Sequence, residues 1–174
     1  MKRPIVGIAT DGAHSTKERL TRYRAVDLSS GLELFNHSIG NKTNNIGEFL
    51  AIVEAVKYIL RHPEAPRIIY SDSITAITWY RNKQTASSRR CEQLQLAEIF
   101  LKVMADKIDD IQILHWDNRE WGETPADFGD SKFNPQNNHK NYPFGKVVNN
   151  YYLYNRNVQI RGADLNRANT NYNQ

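Results

Sequence analysis

Four acidic residues, Asp11, Glu48, Asp72 and Asp127, stand in contexts that each expose a carboxylate at the edge of structured sequence. Asp11 follows the apolar run Ile5-Val6-Gly7-Ile8-Ala9-Thr10, and Asp72 follows Ile68-Ile69-Tyr70-Ser71. Glu48 opens an amphipathic stretch, and Asp127 begins a shorter one. Two acids at strand ends and two at helix starts are the donor set of a two-metal phosphoryl-transfer centre. Such a centre holds two hard divalent ions about 3.5–4 Å apart; they activate water, neutralise a scissile phosphate and stabilise the leaving oxygen. Oxygen ligands suit Mg²⁺, and Mn²⁺ accepts the same set. Neither a cysteine cluster nor a paired-histidine helix motif is present, which argues against zinc. Taken singly, each acid has a plainer explanation. Asp72 would cap a helix starting at Ser73, and Asp127 would be a first-turn acid favoured by the helix dipole. Glu48 fits the plain explanation worst, because it interrupts the apolar approach Ile46-Gly47-Glu48-Phe49.

The elements that must hold these acids follow from periodicity. Residues 4–10 read as a buried strand, residues 19–28 and 32–39 as two more, with a turn at Ser29-Ser30-Gly31. Ile46, Phe49, Leu50, Val53, Val56, Ile59 and Leu60 then recur at helical spacing, giving a helix of about four turns. Asn44 or Asn45 is the expected N-cap, and His62-Pro63 the stop. Residues 67–71 form a fourth strand, 73–82 a short helix, and Leu94 to Met104 another. Ile111 to Trp116 is the last strand, and Pro125 is placed as the first residue of a helix carrying Asp127. The order β-β-β-α-β-α-α-β-α requires a mixed sheet with helices on both faces, an α/β fold.

The 174 residues suit one domain with a full core. No run is long enough to span a membrane, the first residues lack a signal-peptide layout, and the single Cys91 excludes an internal disulfide. A cytoplasmic location is the expectation. The net charge of +4 is unevenly spread. Residues 1–130 carry 17 Lys and Arg against 18 Asp and Glu, whereas residues 131–174 carry 6 against 1. That last stretch also holds 12 asparagines and five tyrosines. It reads as a flexible or loosely docked basic extension, or as a segment touching nucleic acid by charge and stacking.

Taken together the motifs resemble ribonuclease H, type 1. Thr10-Asp11-Gly12-Ala13 is similar to that family's opening motif, and Thr43-Asn44-Asn45-Ile46-Gly47-Glu48-Phe49-Leu50-Ala51 to its "T-N-N-x-x-E-x-x-A" segment. Tyr70-Ser71-Asp72-Ser73 and Pro125-Ala126-Asp127 match the third and fourth acidic motifs, in order, so the resemblance covers roughly residues 4–130. It implies a ribonuclease H-like five-stranded mixed sheet and Mg²⁺-dependent cleavage of the RNA strand of RNA–DNA hybrids, leaving 5′-phosphate and 3′-hydroxyl ends. The implied ligands of the two ions are Asp11, Glu48, Asp72 and Asp127. Substrate contacts implied by position are the backbone at Gly12 and Ala13, Asn44 or Asn45, and the basic stretch holding Arg81, Lys83, Arg89 and Arg90. No protein partner is expected, and the chain is expected to act as a monomer.

Two departures from the pattern stand out. The glycine-rich turn after the opening motif is replaced by Ala13-His14-Ser15-Thr16-Lys17-Glu18. The loop before the last acid, Asp117 to Thr124, is short and lacks the histidine that many members carry. Glu120 or Glu123 is a candidate substitute, while His115 reads as part of the last strand. The competing readings are a related polynucleotidyl transferase or resolvase on the same fold, and a catalytically silent hybrid-binding module.

Overall fold

The computed structural model describes residues 1–129; the extension 131–174 lies outside the described residues. Five strands, β1 (Ile8–Ser15), β2 (Leu20–Asp27), β3 (Glu33–Ile39), β4 (Ile68–Ser71) and β5 (Gln112–His115), form one sheet in the order β3-β2-β1-β4-β5. The first three make an antiparallel meander, and β4 and β5 add in parallel beside β1. The expected five-stranded mixed sheet is therefore what the chain forms.

Strand β1 is displaced from its expected place. The apolar residues Ile5 and Val6 are 74% and 52% exposed, and the strand begins only at Ile8. Gly7 breaks the run with a φ of +129°, a conformation closed to residues bearing a Cβ. The strand then continues through polar residues to Ser15, because β2 pairs with it along its whole length, Ile8 against Asp27 to Ser15 against Leu20. Asp11 consequently sits in mid-strand. Its parallel neighbour β4, however, pairs with β1 only as far as Thr10 against Ser71, so Asp11 lies just where that side of the sheet opens.

The long helix α1 (Asn44–Arg61) crosses β1 and β2. Its N-cap is Thr43, whose hydroxyl accepts from the Ile46 N–H; the expected Asn44 or Asn45 cap is one or two residues late. Residues 46 to 56 are buried without interruption, and Phe49 meets Trp79 edge to face at 6.0 Å. At roughly 2–3 kcal/mol for each fully buried large apolar side chain, this helix anchors the core. Glu54 is buried among these residues and is neutralised by Lys57 and Arg61 at 3.5 and 3.1 Å. The helix stops at His62, as Pro63 requires.

Helices α2 (Ile74–Asn82) and α3 (Glu92–Val103) pack on α1, and the short α4 (Ala105–Ile108) leads into β5. Trp79 and Tyr80 are both core residues. On the opposite face of the sheet Ala9 and Val26 meet Ala126 and Leu28. Tyr70, Trp116 and Trp121 form an edge-to-face series from β4 into the short α5 (Asn118–Trp121), with Trp116 and Tyr70 centroids 5.9 Å apart.

The helix expected to start at Pro125 is absent among the described residues; the segment after β5 carries α5 instead and reaches Asp127 as an irregular turn. The reason lies in its hydrogen bonds. The carbonyls of Ala126 and Asp127, which a helix would offer to N–H groups four residues on, accept from the Arg24 guanidinium. The Asp127 N–H folds back onto the Thr124 carbonyl, and Gly129 turns out at φ +65°.

Candidate metal centre

Strand alternation and two glycines assemble the site. Gly12 faces α1, and a Cβ there would lie 2.3 Å from the Glu48 nitrogen and 2.5 Å from the Gly47 carbonyl carbon. A Cβ on Gly47 would in turn lie 2.9 Å from the Thr21 methyl and 3.1 Å from the Arg22 carbonyl. Bare backbone on both sides lets the first turn of α1 sit directly on β1, and that contact brings Glu48 to Asp11. Asp72 arrives from the end of β4. It is not the cap of α2; Ser73 takes that role through the Ala76 N–H, which leaves the Asp72 carboxylate available.

Asp11, Glu48 and Asp72 each present a carboxylate oxygen, all within 4.8 Å of one another. At that separation two ionised carboxylates repel by roughly 3.5 kcal/mol at an effective dielectric constant of about 20. Asp11 and Glu48 are buried, 6% and 4% exposed, and burial is the main cause that lifts both carboxyls above the ordinary carboxylate range. Asp11 is raised to about 7, with the Phe128 N–H and Glu48 partly offsetting the rise and the charges of Asp72 and Asp127 adding to it. For Glu48 the charges of Asp11 and Asp72 reinforce burial. Burial and mutual repulsion together favour keeping a proton on the pair.

Glu48 also holds a buried carboxylate oxygen, Oε2, that has no hydrogen-bond partner. An orphaned buried acceptor is costly unless a group other than protein satisfies it. A divalent cation would do so, and the donors are three hard oxygens, as Mg²⁺ or Mn²⁺ prefers. The residues fit such an ion.

Asp127 is close by but outside this trio. Its Oδ2 accepts from the Gly129 N–H at 3.0 Å, while its neighbour Phe128 donates its N–H to Asp11 Oδ2 at 3.0 Å. Asn118, on which sequence reasoning was silent, donates from Nδ2 to Asp72 Oδ2 at 2.8 Å. It is presented by α5, whose cap is Asp117, accepting from the Arg119 and Glu120 N–H groups. Glu120 pairs with the N-terminal amine at 3.2 Å, Glu123 is exposed, and His115 is exposed at the end of β5.

The expected substrate residues divide. Gly12 is buried under α1, Ala13 is half-buried, and Asn44 and Asn45 are exposed on the first turn of α1. Arg81 and Arg89 are exposed, and Lys83 is half-buried as the left-handed C-cap of α2. Arg90 is engaged within the fold: its guanidinium donates to both Glu98 oxygens at 2.8 and 2.7 Å and to the Thr85 hydroxyl at 2.7 Å. Sequence reasoning was silent on Glu98 as well. An acid at a core-facing position of α3, eight residues beyond Arg90, was the available signal.

No protein-family model matches the chain. Among solved structures it is similar to LC11-RNase H1, isolated from compost by a metagenomic approach, at 16% identity over 65% of this chain and 84% of that one, with a TM-score of 0.47. It is similar to RNase H1 of Halobacterium salinarum NRC-1 at 19% identity, covering 66% and 87%, with a TM-score of 0.42. The N-terminal RNase H domain of a Mycobacterium tuberculosis protein aligns at 16% identity, covering 66% and 84%, with a TM-score of 0.47. LC11-RNase H1 has also been crystallised in complex with an RNA/DNA hybrid. The chain combines a five-stranded mixed sheet of order 3-2-1-4-5 with a candidate three-carboxylate metal site.

Proposed function

We propose that this protein is a divalent-metal-dependent endonuclease that hydrolyses the RNA strand of RNA–DNA hybrids, leaving 5′-phosphate and 3′-hydroxyl ends. The observation that carries the proposal is the meeting of Asp11, Glu48 and Asp72 from three separate elements, with a buried Glu48 oxygen left for a cation. Asp11, Glu48 and Asp72 would hold Mg²⁺, or Mn²⁺, with Asp127 completing a two-ion set. When bound, the ions supply an activated water and neutralise charge on the scissile phosphate.

The chain's own residues do the rest. The Asp11–Glu48 pair must give up its proton, so its raised affinity for protons tunes ion loading to pH. Exposed Asn44 and Asn45, with the backbone at Ala13, lie on the elements that carry Glu48 and Asp11 and are suited to the sugar-phosphate backbone of a hybrid. Reading 2′-hydroxyls across a wide minor groove is how RNA is told from DNA. Arg81, Lys83 and Arg89 offer phosphate contacts without sequence preference, and Arg90 shapes that loop through Glu98. Among the described residues no helix is long and apolar enough to cross a membrane.

The test is cleavage of a labelled RNA–DNA hybrid with Mg²⁺, beside single-stranded RNA, duplex RNA and duplex DNA. Hybrid-only cleavage abolished by EDTA and by Asp72→Asn supports the reading. Tight hybrid binding without cleavage in either Mg²⁺ or Mn²⁺ refutes it in favour of a binding module, and cleavage of duplex DNA would favour a related polynucleotidyl transferase or resolvase.

A further inference from the structure

One side chain fastens the segment that carries the fourth acid. Arg24 stands on β2 directly across from Asp11. Its Nε donates to the Ala126 carbonyl and its Nη2 to the Asp127 carbonyl, while Nη1 meets Glu33 Oε2 at 3.3 Å. The Phe128 ring lies against the same guanidinium, 4.8 Å from its central carbon, and Arg22 approaches that ring at 5.5 Å. With the segment so held, the Phe128 N–H reaches Asp11 Oδ2. Two adjacent carbonyls, an aromatic face and a carboxylate thus converge on the planar fork of one arginine, a geometry that the point charge of a lysine cannot reproduce.

We infer that Arg24 is a positioning residue of the metal centre, holding Asp127 and the Phe128 N–H at the Asp11 side of the site where a helix would otherwise be needed. The inference rests on the proposed nuclease reading for its functional consequence, but its structural half stands alone. Arg24 acts through Asp127 and Asp11. Three of its five N–H groups are taken by the two carbonyls and Glu33, and a guanidinium cation is no ligand for a metal ion.

The experiment uses the full chain and the variants Arg24→Lys, Asp127→Asn and the double variant. Three quantities are read: amide exchange at Phe128 in the metal-free protein, Mn²⁺ affinity by electron paramagnetic resonance, and hybrid cleavage. Arg24→Lys is expected to lose the Phe128 protection while core amides of α1 keep theirs. Mn²⁺ affinity is expected to fall by about tenfold or more, the usual scale for removing a group that orients a ligand. The rate kcat is expected to fall with KM nearly unchanged, and the double variant to lose less than the product of the two single losses. Retained Phe128 protection in Arg24→Lys overturns the clamp. Unchanged Mn²⁺ affinity, or effects of Arg24→Lys and Asp127→Asn that multiply, overturns its role at the centre. A wild-type chain that neither binds Mn²⁺ nor cleaves hybrid sinks the nuclease reading and that role with it, and the exchange measurement still judges the clamp.

Discussion

Replacing Gly12 by alanine probes the contact on which the site depends. The added Cβ would sit 2.3 Å from the Glu48 nitrogen, whereas ordinary contact begins at 3.4 Å. Strand and helix must therefore separate locally by about 1 Å, and no side-chain rotation can relieve a clash with backbone. Overpacking of this kind costs roughly 1–3 kcal/mol. With a urea slope of about 2 kcal/mol per molar, the unfolding midpoint should drop by about 1 M. The same displacement carries Glu48 away from Asp11. A misplacement of about 1 Å in a reacting constellation can cost on the order of a hundredfold in rate. The assay pairs urea unfolding with single-turnover hybrid cleavage, and Gly40→Ala is the control, since a Cβ at Gly40 meets nothing within 4 Å. A Gly12→Ala protein with wild-type midpoint and wild-type rate would refute the claim that bare backbone contact sets the Asp11–Glu48 geometry.

Two other perturbations follow from the electrostatics. Asp11 and Glu48 bind protons more tightly in the folded chain than in the unfolded one, so the metal-free protein loses stability as pH rises from about 4, the ordinary carboxylate value, through about 7 for Asp11 and on towards about 10 for Glu48. Glu48→Gln removes the cost of keeping a proton on Glu48 and retains a partner for Asp11; it should raise the melting temperature of the metal-free protein at pH 8 and abolish the rise expected for the wild type in saturating Mg²⁺, both read by calorimetry. Glu98 behaves oppositely. Its hydrogen bonds with Arg90, then those with Thr85, hold its pKa near 2, so the stability it contributes is complete above about pH 4.5 and is lost as pH falls towards 2. Glu98→Gln should cost about 1.5–3 kcal/mol at pH 7, the scale of hydrogen bonds to a charged group, and flatten the acid limb of a stability–pH curve; an unchanged acid limb would remove Glu98 from this role.

Much of this architecture was legible because its signals are local. The apolar period of α1, the stop at Pro63 and the alternation of β2 and β3 each specify an element from a few residues. The acids of three motifs were likewise visible, since each interrupts or closes an apolar run. What sequence reading missed depends on partners far along the chain. The apolar Ile5-Val6 looked like strand, but strand β1 is defined by pairing with β2, which extends through polar His14 and Ser15. Pro125-Ala126-Asp127 has the local grammar of a helix start, and it is Arg24, 102 residues away from Ala126, that captures the carbonyls. The cap of α1 went to Thr43 rather than to the asparagines because the helix begins at Asn44, a boundary that hydrophobic period alone leaves loose by a residue or two. Asn118 acts through a tertiary contact that no spacing rule displays, whereas Glu98 shows only as an acid on the core-facing side of α3.

The four acids proposed for the centre are not equally embedded, and this gives their holders different cooperativity. Asp11 and Glu48 ride on β1 and α1, the most deeply buried strand and helix, so releasing them amounts to global unfolding. Asp72 closes a strand of only four residues, and Asp127 hangs on a turn fixed by one arginine. Sub-global opening, with a free energy well below that of the whole fold, is therefore expected to release the Asp127 turn while Asp11 and Glu48 stay assembled. On the nuclease reading, release of product or ion would need only that local opening, with the core left intact.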